Sequence, residues 1–211
     1  MINAAVGFRV HSGWSTLVAV ALEGRQPVVL CRKRVKLVET FNYDFRQPYH
    51  TAKKVSLEGG REFIATVRSQ AAKLAVDALR EVQRETKSAG YRLVAAALLL
   101  ASGRPLPTLE EILASHALIH TADGELFREA VAEACARCKL PLARTKGKKL
   151  LAEVAQLLGL GEPRLQKQIT ELGRPLGAPW SQDEKFATLA AWLALRAPAK
   201  GLRAARRAKL A

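Results

Sequence analysis

Long apolar runs are what this sequence most plainly lacks. The longest stretch is Leu93–Ala101, which includes Val94, Leu98, Leu99 and Leu100. A bilayer-spanning helix needs about 20 apolar residues, so no membrane span is expected and the stretch reads as a buried strand. Met1 to Val10 has no basic segment followed by an uninterrupted apolar run, because Arg9 and His11 break the pattern; a secretory leader is not expected there. Cysteine is scarce as well. Cys31, Cys135 and Cys138 form an odd, sparse set rather than a disulfide framework. A cytoplasmic protein is the expectation. No internal repeat is found, which leaves out repeat architectures.

Acids are also in short supply. There are 19 Asp and Glu against 34 Lys and Arg in 211 residues, a net charge of +15 with a pI near 10.2. Such an excess attracts polyanions from a distance, and nucleic acid is the natural partner. The plainer source is the general basicity of an Arg-heavy proteome. The hydrophobic fraction of 49 % is ample for a packed core and excludes disorder of the whole chain. One domain over residues 1–195 is expected, followed by a basic tail from Arg196 to Ala211 that carries no acid and is expected to be loosely held.

Turn signals divide residues 4 to 38 into three strands: Ala4–Val10, Thr16–Leu22 and Pro27–Val38, separated by Ser12-Gly13 and Glu23-Gly24. In the third, Val29, Cys31, Val35 and Leu37 alternate with Arg32, Arg34 and Lys36, which predicts one wet, basic side. Residues 39 to 60 read as an irregular loop. A helix is predicted over Arg61 to Lys87, with Phe63, Val67, Ala71, Leu74, Ala78 and Val82 as its apolar stripe. Tyr91–Ala101 is the buried strand. Thr108 and Glu111 make a capping box for a short helix. Ala122–Cys138 is predicted as a helix, Leu140–Arg144 as a strand, and Lys148–Leu158 as a helix. Further helices run from Pro163 to Leu172 and from a Ser181 cap to Leu195, the last with Phe186, Leu189, Ala190 and Leu193 on one face. A meander followed by crossovers implies an α/β mixed sheet with helices on both faces and extra C-terminal helices.

That element order is the one of the ribonuclease H-like fold. Val6–Val20, with its Ser12-Gly13 turn, resembles the first hairpin of that superfamily. Lys148–Leu160, followed by Asp183 and Ala187–Leu195, resembles the C-terminal region of its Holliday-junction resolvase branch. The resemblance implies a two-metal nuclease, whose paired divalent cations need several carboxylates. Here Arg9 stands at the first-strand position that carries an Asp in the superfamily, or His11 if the register slips by two. Leu100–Gly103 offers no acid. Of the C-terminal acidic pair, Asp183 matches one member and Phe186 stands at the other. One carboxylate is too few for such a site, so nuclease activity is expected to be lost or altered. No cofactor is expected, with a divalent metal as the lesser alternative, and the glycine-rich loops of an actin-like nucleotide site are absent.

Four groups of residues carry possible chemistry. Arg9, His11, Ser12 and Trp14 around the first turn would grip a phosphate or stack a base, or else pack structurally. Arg144–Lys149 places Lys146, Lys148 and Lys149 where a strand end meets a helix start, either as phosphate contacts or as a solvated loop. His116 and His120 lie four apart near Asp123, Glu125 and Arg128. They read as a small polar or metal site, or as helix-dipole compensation with a Glu125–Arg128 pair; two imidazoles without a third ligand favour the second reading. Cys135 and Cys138 sit at the wrong end of their helix for a redox pair and read as two small thiols. The leading expectation is a nucleic-acid-binding protein using Arg9, His11, Arg32, Arg34, Lys146, Lys148 and Lys149. A divergent hydrolase built on His11, His120, Glu125 and Asp183 is the second. A basic module for a protein partner is the third.

Overall fold

The computed structural model describes residues 1–24, 26–101 and 105–196. The basic tail, Arg196 apart, and Ser102-Gly103 lie outside these described residues. Strands β1 (Ile2–His11), β2 (Trp14–Glu23) and β3 (Gln26–Lys36) form the meander. Gly13, at φ 82°, closes its first hairpin in the left-handed region that other residues rarely enter. Strands β4 (Tyr91–Leu100) and β5 (Leu142–Lys146) complete a five-stranded sheet of order β3-β2-β1-β4-β5. The β1–β2 and β2–β3 pairs are antiparallel, whereas β1–β4 and β4–β5 are parallel.

Eight helices lie among the described residues: α1 (Tyr43–Arg46), α2 (Pro48–Ala52), α3 (Leu57–Ser88), α4 (Leu109–Ala114), α5 (His116–Arg137), α6 (Gly147–Leu158), α7 (Glu162–Leu172) and α8 (Gln182–Arg196). The period-2 alternation of β1 divides the core. Ala4, Val6, Phe8 and Val10 face α3 and α5 in one apolar cluster, while Ala5 faces the α6, α7 and α8 side in a second one. Helix α8 crosses β1, β2 and β4. It comes so close to β1 that a Cβ on Gly7 would lie 1.9 Å from the Ala187 carbonyl oxygen. Backbone packs on backbone here.

The described structure corrects the sequence reading in five places. Residues 39–60 are not an irregular loop: they hold α1, capped by the Asn42 side chain accepting from Phe45 N at 3.1 Å, and α2, with Pro48 in its first turn. Helix α3 starts at Leu57, capped by Ser56, so Gly59 and Gly60 lie within its first turn. Gly60 is there for space, since a Cβ would lie 3.0 Å from that of Ala52 on α2. Its buried stripe is Ile64, Val67, Ala71, Ala75, Leu79 and Val82, with Phe63, Leu74 and Ala78 only half-buried, because α3 packs against both α5 and the sheet. Helix α5 begins at His116 rather than Ala122. In β3 a bulge opposite Ala19 and Val20 breaks the alternation, so Val29 joins the α8-side core while Cys31, Val35 and Leu37 join the α3 side. In α8, Phe186 and Leu193 are half-buried and the fully buried row is centred on Ala187, Ala190, Ala191 and Trp192.

The Gly7 contact sets a test. Gly7→Ala forces α8 off β1, because the obstructing atoms are backbone. Overpacking costs about 1–3 kcal/mol, and a clash with backbone belongs at the upper end, read as a fall in the denaturant midpoint in an equilibrium unfolding curve.

Candidate functional site

Because β1, β4 and β5 run parallel, their C-terminal ends share one edge of the sheet. Ligands of open α/β sheets bind at such an edge. Alternation along β1 turns Arg9 and His11 to the same side as Gly7, toward the start of α8. There His11 Nε2 lies 2.8 Å from Asp183 Oδ2, and Arg9 Nε lies 3.5 Å from Oδ1. The Arg9 Nε is buried and has no hydrogen-bond partner among the described residues, so its relation to Asp183 is proximity of charge without hydrogen-bond geometry. The Arg9 guanidinium also lies 5.9 Å from the Phe186 ring centroid. Arg9 and Phe186, two positions where the sequence resemblance leads one to expect acids, are therefore neighbours.

Asp183 is aimed by its helix cap. Ser181 Oγ accepts from Asp183 N at 3.2 Å, and Glu184 accepts from Ser181 N at 2.8 Å. This ties Glu184 to the cap and leaves Asp183 facing Arg9 and His11. From the other side, an Arg9 nitrogen comes within 3.9 Å of where a Gly147 Cβ would sit, at the β5–α6 junction. Arg9 thus adjoins the basic segment in which Lys146, Lys148 and Lys149 are exposed.

Trp14 is not a core residue. It stacks on His11 with ring centroids 4.3 Å apart at 11°, and the Arg34 guanidinium lies 3.9 Å from its ring. Since β2 lies between β1 and β3, Trp14 sits between His11 and Arg34 across the sheet. Arg32 is committed elsewhere. Its guanidinium donates to the carbonyls of Leu176, Gly177, Ala178 and Pro179, fixing the segment before α8. Both terminal nitrogens are thus committed to backbone carbonyls rather than free for a phosphate. Trp180, on the same segment, donates to the Ile169 carbonyl at 2.9 Å and packs on Gly173.

The residues at this edge do not fit a pair of hard cations. Such a pair needs several carboxylates, and the edge offers Asp183 beside a guanidinium and an imidazole, with Glu153 turned to the Thr145 hydroxyl at 3.4 Å. Among the described residues, no group of three carboxylates or imidazoles able to hold a metal converges there.

His11, His120, Glu125 and Asp183 do not converge. His11 and Asp183 lie on the α8 side of the sheet, whereas His120 and Glu125 belong to α5, which packs on the other. The convergent hydrolase site is thereby ruled out. Glu125 pairs with Arg128 at 3.0 Å as expected, but Asp123 is no dipole partner. It is buried two turns into α5, where Oδ1 accepts from Tyr49 N at 2.7 Å and Oδ2 meets His50 Nδ1. Burial pushes its carboxyl above the usual range, against the opposing pull of those two partners. Sequence reasoning missed His50: it lies in the stretch read as a loop, and no local spacing ties it to α5.

Burial raises both thiols of the cysteine pair. The Cys135 thiol is pushed up to about 12, first by burial and then by Cys138, and burial also raises Cys138.

No family model and no curated protein sequence matches the chain. Solved structures do resemble it. A Thermus thermophilus RuvC structure is 14 % identical with a TM-score of 0.49, over 89 % of this chain and 90 % of that one. T. thermophilus RuvC in complex with Holliday junction substrate is 13 % identical with a TM-score of 0.52, over 90 % of each chain. The fold is ribonuclease H-like: a mixed five-stranded sheet with an antiparallel start and helices on both faces. Among the described residues, no helix is long and apolar enough to cross a membrane.

Thiol chemistry checks the burial of Cys135. A pKa near 12 leaves almost no thiolate at pH 8. Iodoacetamide at that pH therefore leaves Cys135 unmodified in the folded protein, and labels it after denaturation, as read by peptide mass spectrometry.

Proposed function

We propose that this is a cytoplasmic nucleic-acid-binding protein whose β1–β4–β5 edge takes the phosphodiester backbone directly, without metal-dependent cleavage. One observation carries the reading: Arg9, beside Asp183 and Phe186 and next to the Lys146–Lys149 segment, occupies the edge where a nuclease of this fold would gather its acids. A guanidinium and exposed lysines attract phosphate, whereas carboxylates stripped of metal repel it. The His11–Trp14–Arg34 stack adds a flat aromatic surface beside these cations, suited to an unpaired base or a sugar edge. One similar structure holds a Holliday junction, which makes branched and duplex DNA the first substrates to try. The candidate contacts are Arg9, His11, Arg34, Lys146, Lys148 and Lys149.

Mobility-shift titrations of junction, duplex and single-stranded probes test the proposal. Affinity falls steeply with salt, and the triple variant K146A/K148A/K149A flattens the log–log salt slope by about 3, at roughly 0.9 per phosphate contact. Asp183→Asn, which removes the one negative charge at Arg9, tightens binding. Junctions incubated with magnesium or manganese remain intact. No shift with any probe at low salt, or metal-dependent cleavage that is lost in D183N, would overturn the reading.

A further inference from the structure

We propose that His50, His116 and His120 form a binding site for a divalent transition metal of the zinc type, on the face of the molecule away from Arg9 and Asp183. His116 and His120 lie one turn apart on α5, so their rings project from the same side of the helix. His50 comes from α2. One ligand nitrogen from each ring lies within 4.8 Å of the others, and the rings meet edge to face, with centroids 4.5 to 5.6 Å apart.

The support behind His50 sets this cluster apart from three neighbouring surface histidines. Its Nδ1 is turned to Asp123 Oδ2, and Asp123 is itself 2 % exposed and pinned by Tyr49 N at 2.7 Å. A buried carboxylate that accepts a hydrogen bond from Nδ1–H fixes the tautomer and leaves Nε2 with the lone pair available to a metal ion. Carboxylate–histidine–metal sites are built in this way. The glycine at position 60 serves the same arrangement, because it lets α2 settle against the first turn of α3.

The donor set selects the metal. Three imidazoles suit zinc, copper or nickel and disfavour magnesium and calcium, which prefer oxygen. With zinc–nitrogen bonds of about 2.0–2.1 Å, tetrahedral ligand atoms stand about 3.4 Å apart. His116 and His120 are exposed and reach that spacing by side-chain rotation; His50, held by Asp123, is the fixed point. A fourth position faces solvent and takes a water. The bound ion joins α2 to α5 and so ties down the segment between β3 and α3.

Zinc and cobalt(II), each added alone to the metal-free full chain, test the site. One equivalent binds, and cobalt gives the intense visible absorption of a four-coordinate ion without thiolate charge-transfer bands. His116→Ala and His120→Ala, both exposed and so expected to keep the wild-type circular dichroism, each weaken zinc by at least about 100-fold. Asp123→Asn, which touches no metal, weakens it by about 10–100-fold. C135S/C138S leaves it unchanged. Binding that survives both His variants, thiolate bands in the cobalt spectrum, or the lack of a stoichiometric site would overturn the proposal. Nucleic-acid mobility shifts are a separate readout on the opposite face, so failure of either idea leaves the other standing.

Discussion

Everything at the β1 edge depends on the absence of a side chain at Gly7. Helix α8 begins at the edge where β1 ends and runs back along it, with the Ala187 carbonyl where a Gly7 Cβ would be. Ala187, Ala190 and Ala191 on the helix and Ala5 on the strand keep both surfaces thin. Asp183 is one turn before Ala187, and Arg9 is one alternation beyond Gly7. The close approach that seats the helix therefore also sets the 3.5 Å from Arg9 to Asp183. A bulkier contact would lift the start of α8, carrying Asp183 and Phe186 away from Arg9 and His11.

Stability does not account for that cluster. Arg9 and Asp183 are 36 % and 23 % exposed, and ion pairs with this much solvent contribute about 0–1 kcal/mol. A guanidinium offers five donors in a rigid fork, and Asp183 approaches only Nε. One terminal nitrogen lies beside Gly147, at the β5–α6 junction. Lys33 is a useful contrast. It too projects from the sheet, but two carboxylates of α3, Glu81 and Glu85, take it up at 2.7 and 2.6 Å. Lys33 is thus neutralised by its neighbours, whereas Arg9 and His11 share Asp183.

Much of the architecture was legible because it rests on local signals. Ser12-Gly13, the Thr108–Glu111 capping box, Gly159 and Ser181 each end or begin an element where the sequence pattern places it. The juxtaposition of Arg9 and Asp183 was legible only through resemblance, since the residues are 174 positions apart. What escaped was decided by tertiary packing. Gly59 and Gly60 look like a loop and are the first turn of α3, because a glycine is what α2 needs against it. The bulge in β3 cannot be read from an alternation that looks unbroken. Arg32 reads as surface charge until the 176–179 segment folds over it. His50 acquires meaning only when α2 brings it to α5, 66 residues ahead of the first of its partners.

The presence of arginine at the β1 edge bears on binding and cleavage together. Carboxylates at such an edge repel phosphate and become useful only through the cations they hold, so binding and cleavage share one set of acids. An arginine among them would disfavour the cations by its own charge and attract phosphate without them. Phe186 adds no negative charge and gives the Arg9 guanidinium an aromatic ring to rest against. On the proposed reading, the changes that dismantle a two-metal centre are the same ones that turn the edge into a direct phosphate contact. Asp183 then serves to orient: it positions His11 and Arg9 while offsetting part of their charge. Its removal should therefore strengthen binding, the opposite of what a metal ligand's removal would do.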